Sequence, residues 1–237
     1  MNFEQIDFER QAHFLDPHQF NSKNLRIDVI GAGATGSYVV LQLAKMGIKN
    51  IHVWDNDEVE SHNLPNQLYG VGDVGKPKVE ALKQLIKSIT DIDIITHKEF
   101  VDSSTGTLGD VVFLLTDTMA SRKEIYESCL KYSLTKICVE TRLSATQGRV
   151  YTFNPTDIVG QTRWEKTLYS DDQAETSECG TKLMMGASSS MVASMAVWQF
   201  IKWTVSQKDQ TEEKVKIFPE FELLFSVCPN FNFMYRV

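Results

Sequence analysis

The sequence predicts an α/β fold: a Rossmann-like, mainly parallel sheet with helices on both faces, plus C-terminal strands extending the sheet. Three observations carry this. A short buried strand at 26–30 runs directly into the turn Gly31-Ala32-Gly33-Ala34-Thr35-Gly36, and that turn runs into apolar residues at helical spacing. A second strand, 50–54, ends at Asp55, close to the spacing of about 20 residues expected for an acid that contacts ribose hydroxyls. Strand and helix patterns then alternate to about residue 140, as parallel strands joined by crossover helices require.

Residues 1–24 read as a polar helical arm. Strand 26–30, helix 36–46, strand 50–54, a helix near 77–89, a strand near 92–97, strand 111–115, helix 119–132 and strand 135–140 build the alternating part. Residues 148–153 (GRVYTF) alternate apolar and polar and read as another strand. Residues 154–182 are polar with no period and read as a crossover loop. The run 183–204 is helical, and its small residues imply close packing. Residues 205–237 form a C-terminal extension in which KVKIF and ELLFSV read as strands. One domain, 1–237, is the simplest organisation.

Composition narrows the function classes. The chain has 237 residues and a formal net charge of -7, which argues against general nucleic-acid binding. No apolar run reaches the ~20 residues of a membrane span, and the polar, acidic N-terminal residues do not read as a secretory signal. The four cysteines, Cys129, Cys138, Cys179 and Cys228, form no CxxC pair, so no structural zinc is expected. Free thiols in a reducing, cytoplasmic setting are the expectation.

Each glycine of the loop has a physical task. Gly31 permits the sharp turn, Gly33 lets a phosphate approach the backbone, and Gly36 lets the helix sit close to the strand. The helix N-terminus adds unpaired N–H groups and a partial positive charge. The segment after Asp55 is unlike that of an ordinary dinucleotide site. A polar loop with Asn63, Asn66 and Gln67 leads to Val74-Gly75-Lys76-Pro77-Lys78. Pro77 suits a first helical turn, but a lysine there opposes the helix dipole. That cost is tolerated more readily where Lys78 faces a polyphosphate; a solvated surface lysine is the plainer alternative. Strand 111–115 delivers Thr116-Asp117 to its carboxyl end, where ligands bind in open α/β sheets. Asp117 can hold Mg²⁺ against phosphates or cap the following helix. Arg142 and Arg149 read as solvated or structural.

Taken in order, Gly31-Ala32-Gly33-Ala34-Thr35-Gly36-Ser37, Asp55-Asn56-Asp57, Asn63-Leu64-Pro65-Asn66-Gln67, Val74-Gly75-Lys76-Pro77-Lys78 and Leu115-Thr116-Asp117 resemble the ThiF/MoeB/E1-like adenylyltransferases, and Phe8-Glu9-Arg10-Gln11 is similar to their N-terminal arginine motif. The resemblance spans roughly residues 8–204. It implies binding of ATP with Mg²⁺, and attack by the C-terminal carboxylate of a ubiquitin-like or sulfur-carrier protein or peptide on the α-phosphate. The products are an acyl-adenylate and pyrophosphate. It further implies that Asp55 holds the ribose, Lys78 the phosphates and Asp117 the Mg²⁺. Asp57, Asn63, Asn66 and Gln67 complete the nucleotide site. Arg10 reaches the triphosphate of a partner subunit in a homodimer. The chain departs from the family in carrying Asn66 where arginine is usual, in lacking paired CxxC motifs, and in its C-terminal tail.

Cys179, in Ser177-Glu178-Cys179-Gly180-Thr181, precedes the long helical run. In relatives a cysteine in this region captures the activated carboxylate as a thioester or transfers sulfur, and a thiol near a helix N-terminus gains thiolate character. An ordinary free cysteine is the alternative. Two other functions fit part of the pattern. A non-catalytic nucleotide- or partner-binding scaffold accommodates Asn66. An NAD-dependent oxidoreductase accounts for the glycine loop and Asp55 but leaves Lys78, Asp117 and the 63–67 loop without a role.

Overall fold

The computed structural model describes residues 6–173, 184–208 and 216–237. The chain folds around one eight-stranded sheet of order β3-β2-β1-β4-β5-β6-β7-β8. The strands are β1 (Ile27–Ile30), β2 (Ile51–Trp54), β3 (Ile95–His97), β4 (Val111–Leu114), β5 (Ile137–Leu143), β6 (Gln147–Phe153), β7 (Glu222–Ser226) and β8 (Asn232–Arg236). β3, β2, β1, β4 and β5 are mutually parallel, and β6, β7 and β8 continue antiparallel. β1 and β4 are buried along their whole length, which explains their unbroken apolar runs.

Helices cover both faces, as the alternation requires. α2 (Gly36–Lys45), α3 (Lys78–Thr90) and α6 (Gly186–Ser206) pack over Val29, Val53, Phe113 and Val139. The opposite face carries α4 (Met119–Ile125) and α5 (Ile158–Glu165) against Ile30, Leu114, Tyr151 and Phe153. α6 packs through small buried side chains, Ser188, Ser189, Ala193 and Ala196. A Cβ on Gly148 would lie 2.2 Å from Val192 Cγ2, so β6 and α6 approach closely there. Among the described residues no helix is long and apolar enough to cross a membrane.

Several boundaries differ from the sequence expectation. The 119–132 helix is α-helical only to Ile125 and continues as a π-helical turn, Tyr126–Leu130. The segment 154–182 is not featureless: Asp157 caps α5 by accepting from Gly160 N–H, and a 3₁₀ turn forms at Asp171–Gln173. Periodicity missed α5 because Trp164 is its sole fully buried anchor. In the tail, residues 216–218 of the KVKIF run are not in a strand, whereas 232–236 forms β8, exposed along its whole length. Among the described residues of the N-terminal arm, 6–24, the α-helix is α1 (Pro17–Ser22), capped by Asp16.

Beneath the β1–β2–β3 edge lies a polar cluster. Asp28 is fully buried and accepts from Trp54 Nε1 at 2.6 Å, Arg26 at 2.7 Å and Gly109 N–H at 2.6 Å. His97 stacks on Trp54 with ring centroids 3.6 Å apart, and its Nε2 lies 3.0 Å from His52 Nδ1. Burial and the nearby Arg26 hold both imidazoles below their ordinary value of 6.5, against the opposing pull of Asp28 and, at His97, of Glu99. The unfolded chain therefore takes up protons first, and stability falls as pH drops below 6.5 toward the depressed folded values. His97→Gln is expected to flatten this slope. Urea midpoints at pH 7.5 and 5.5 check it: wild type should lose more on acidification than the variant.

Candidate functional site

The carboxyl ends of β1, β2 and β4 converge on the glycine loop. Gly31 adopts φ +100, and its N–H donates to Trp54 O at 2.8 Å, carrying the chain past the strand end into the turn. A Cβ on Gly36 would lie 1.8 Å from Gly31 O, so α2 starts hard against the turn. A Cβ on Gly33 would meet only Gln67 Nε2 at 3.9 Å: this face of the loop is open. Thr35 makes no side-chain capping bond, which leaves the α2 N-terminus free for an anion. Gly31 and Gly36 thus serve the turn and the close helix packing read from their spacing, and Gly33 leaves its side of the loop open.

Asp55 folds back onto this loop. Its Oδ2 accepts from Ala32 N–H at 2.7 Å and its Oδ1 from Asp57 N–H at 2.8 Å. Burial, helped by the nearby Asp57 charge, holds its carboxyl above the ordinary carboxylate value against the opposing pull of Lys78 and the two N–H donors. Lys78 is the first residue of α3, and its side chain is only 9% exposed. Its Nζ lies 2.7 Å from Asp57 Oδ2. Such a buried ammonium at the positive end of a helix is electrostatically costly, and Asp57 offsets the cost.

The 63–69 loop forms the third wall. Asn63 is buried, and its Oδ1 accepts from Glu60 N–H at 2.9 Å, which holds the loop. Leu68 N–H donates to Ser37 Oγ at 3.2 Å, and Tyr69 Oη to Ala32 O at 2.6 Å. Burial drives the Tyr69 hydroxyl above its usual range, keeping it a neutral donor. Among the described residues, Asn66 Oδ1, Gln67 Oε1 and Thr116 Oγ1 are buried without a hydrogen-bond partner. Orphaned polar atoms of this kind need explanation, and a bound polar ligand supplies one. The N-terminus of α6 closes on the same loop: a Cβ on Gly186 would lie 2.6 Å from Pro65 O.

Asp117 lies at the end of β4, exposed. Among the described residues no three metal-ligating side chains converge. Asp117 suits Mg²⁺ as a single carboxylate of the kind that shares the ion with phosphates and water. Arg10 lies elsewhere. It is exposed on the arm between Phe8, which packs at Gly47, and Gln11, whose Nε2 donates to Met46 O at 2.8 Å. That is the far end of α2 from the glycine loop, roughly 15 Å along a ten-residue helix. Cys179 falls outside the described residues. Of the described cysteines, Cys138 is buried and Cys129 half-buried; burial raises both thiols, as expected of structural cysteines.

Arg142 is structural, one of the two roles its sequence context allows, and is part of a buried network. Glu140, fully buried in the middle of β5, faces Arg122 Nε at 2.9 Å and Arg142 Nη2 at 2.9 Å, and accepts from Trp164 Nε1 at 3.2 Å. Arg142 also donates to Thr167 O and Oγ1 at 2.6 and 2.8 Å. Asp171 accepts from Met119 and Ala120 N–H, the first of them two residues past Asp117. The crossover segment is thereby fastened beside the site. Sequence reasoning assigned no role to Tyr69, Thr116 or Asp171; the position of Tyr69 directly after the polar loop was the available signal for the first.

Known proteins share the sequence pattern and the fold. The chain is 29% identical over 191 residues to the adenylyltransferase and sulfurtransferase MOCS3 of Aedes aegypti, covering 78% of this chain and 43% of that protein. It is 22% identical over 214 residues to the SAMP-activating enzyme E1 of Haloferax volcanii, covering 86% of this chain and 76% of the relative. The first curated relatives it matches are longer, and it spans 23% to 43% of their length. A crystal structure of E. coli MccB with AMPCPP and selenomethionine MccA superposes with a TM-score of 0.70 at 14% identity, covering 99% of this chain and 72% of that one, a likeness of fold. The family model of ThiF matches residues 8–232, and the chain belongs to the ThiF family.

Proposed function

We propose that the protein is an ATP-dependent, E1-like adenylyltransferase acting on the C-terminal carboxylate of a small ubiquitin-like or sulfur-carrier protein or peptide. The observation that carries this is Lys78, a nearly buried ammonium at a helix N-terminus beside an open glycine loop and Asp55, whose carboxylate folds back onto that loop. The oxidoreductase reading assigns no role to Lys78, to Asp117 or to the 63–67 loop. The carrier's carboxylate oxygen attacks the α-phosphorus, the bond to the bridging oxygen breaks, and pyrophosphate leaves with the electron pair. In that step the loop N–H groups and the α2 N-terminus orient the phosphates, Lys78 neutralises the charge developing on the leaving group, and Asp55 fixes the ribose. Asn66, Gln67 and Thr116 complete the polar wall. Mg²⁺, held through Asp117, would supply further charge neutralisation when bound.

Arg10 belongs to this reading only through a second copy, because its own site lies at the opposite end of α2; a homodimer with Arg10 acting in trans is the form proposed. Capture of the adenylate by Cys179 is a further proposed step. The test is isotope exchange between pyrophosphate and ATP. Exchange that requires a carrier protein with a free C-terminus supports the reading. Tight ATP binding without exchange would favour the scaffold, and hydride transfer from a nicotinamide would overturn the adenylyltransferase outright.

A further inference from the structure

Asp57 joins the two charged ends of the site. Its N–H donates to Asp55 Oδ1 at 2.8 Å, its carbonyl accepts Lys78 N–H at 2.9 Å, and its Oδ2 receives Lys78 Nζ at 2.7 Å. The Asp57 backbone is pinned on both sides, so only the carboxylate can move. The two partners differ sharply in exposure, 9% for the Lys78 side chain and 61% for Asp57. An exposed carboxylate exchanges its partner for water at small cost, whereas a buried ammonium does not. Taking Lys78 as the phosphate-holding group of the reading above, we propose that Asp57 is a positioning residue that serves as a displaceable counter-ion, one that keeps Lys78 aimed and yields it only to a polyphosphate.

A phosphate oxygen within hydrogen-bond reach of Lys78 Nζ comes within roughly 5 Å of the Asp57 carboxylate, close enough for two anions to compete for one ammonium. A triphosphate wins because the loop N–H groups and the α2 N-terminus hold its remaining charge. A monophosphate resting on the glycine loop leaves the Asp57–Lys78 pair intact. Once the α–β bond has broken, the returning carboxylate competes with pyrophosphate for Lys78 and favours its release. Asp57 therefore weakens ATP binding and speeds product departure together.

Calorimetric titration of ATP, ADP and AMP against wild type, Asp57→Asn and Asp57→Glu tests this. Asp57→Asn is expected to tighten ATP about tenfold, ADP by less, and AMP within about twofold. Asp57→Glu should return ATP affinity toward wild type. In a Lys78→Met background, Asp57→Asn should tighten ATP far less, since only direct repulsion between the carboxylate and the phosphates is left to relieve. In steady state, Asp57→Asn should lower KM for ATP and lower kcat through slower pyrophosphate release. Equal or weaker ATP binding by Asp57→Asn, with wild type binding normally, overturns the counter-ion role alone. Failure of wild type to bind any of the three overturns the nucleotide site and this inference with it.

Discussion

On the proposed activity, replacing Lys78 by methionine is expected to lower carrier-dependent pyrophosphate exchange by a factor of about 10²–10³, the loss typical of removing one preorganised group aimed at developing charge. Methionine keeps the apolar stem packed where the lysine side chain is 9% exposed, so the substitution removes charge with little change of volume. The folded state should not suffer. A cation in the first turn of α3 opposes the helix dipole by about 0.3–1 kcal/mol, and that term disappears in the variant. Asp57, 61% exposed, regains water when its partner is gone. The expected pattern is thus lost exchange with an unchanged or slightly raised melting temperature. A variant that keeps exchange would show that Lys78 is only a structural ion-pair partner. One that loses exchange and melts far below wild type would show that Lys78 holds the fold.

How much of this site the sequence disclosed depends on the local chemistry of each residue. Gly31, Gly33 and Gly36 were legible because backbone geometry demands glycine at fixed offsets, and the open side at Gly33 is where the spacing placed a phosphate. Asp55 was legible because β2 fixes its distance from the loop. The pairing of Asp57 with Lys78 was not, because 21 residues separate them and an isolated bridge between Glu58 and Pro77 brings them together. α5 was missed because a polar surface helix with one buried tryptophan has no apolar stripe. β8 was missed for the related reason that all its residues are exposed, so no alternation between faces marks it. Arg10 reads as a site residue from its motif, and the fold places it far from its own nucleotide loop. The π turn at Tyr126–Leu130 has no sequence signature that propensity detects.

The largest stability effect is expected at Glu140 rather than at any nucleotide contact. Glu140→Ala leaves Arg122 and Arg142, 6% and 7% exposed, without the carboxylate that neutralises both. Removing one side of a buried ion pair costs about 3–5 kcal/mol, because the remaining charge is stranded in a low-dielectric interior. Arg142 retains its bonds to Thr167 and its place 4.4 Å over the Tyr151 ring, and Arg122 its bond to Thr141 O, so part of the network survives. Urea unfolding should therefore show a drop toward the lower end of that range. Glu140→Gln keeps the shape and loses the charge, and should fall between. In a triple variant with Arg122→Met and Arg142→Met, Glu140→Leu should recover much of the loss, since an all-apolar replacement strands no charge and leaves only the Trp164 N–H to lose its carboxylate acceptor. That triple variant should still lose exchange activity relative to wild type. Without Arg142, the segment around Thr167 is no longer tied to the β5 end, and the Asp171 contact beside Asp117 loses its anchor. Stability recovered together with full exchange would show that the network serves the fold alone; stability recovered with weakened exchange would show that it also aligns the crossover over the site.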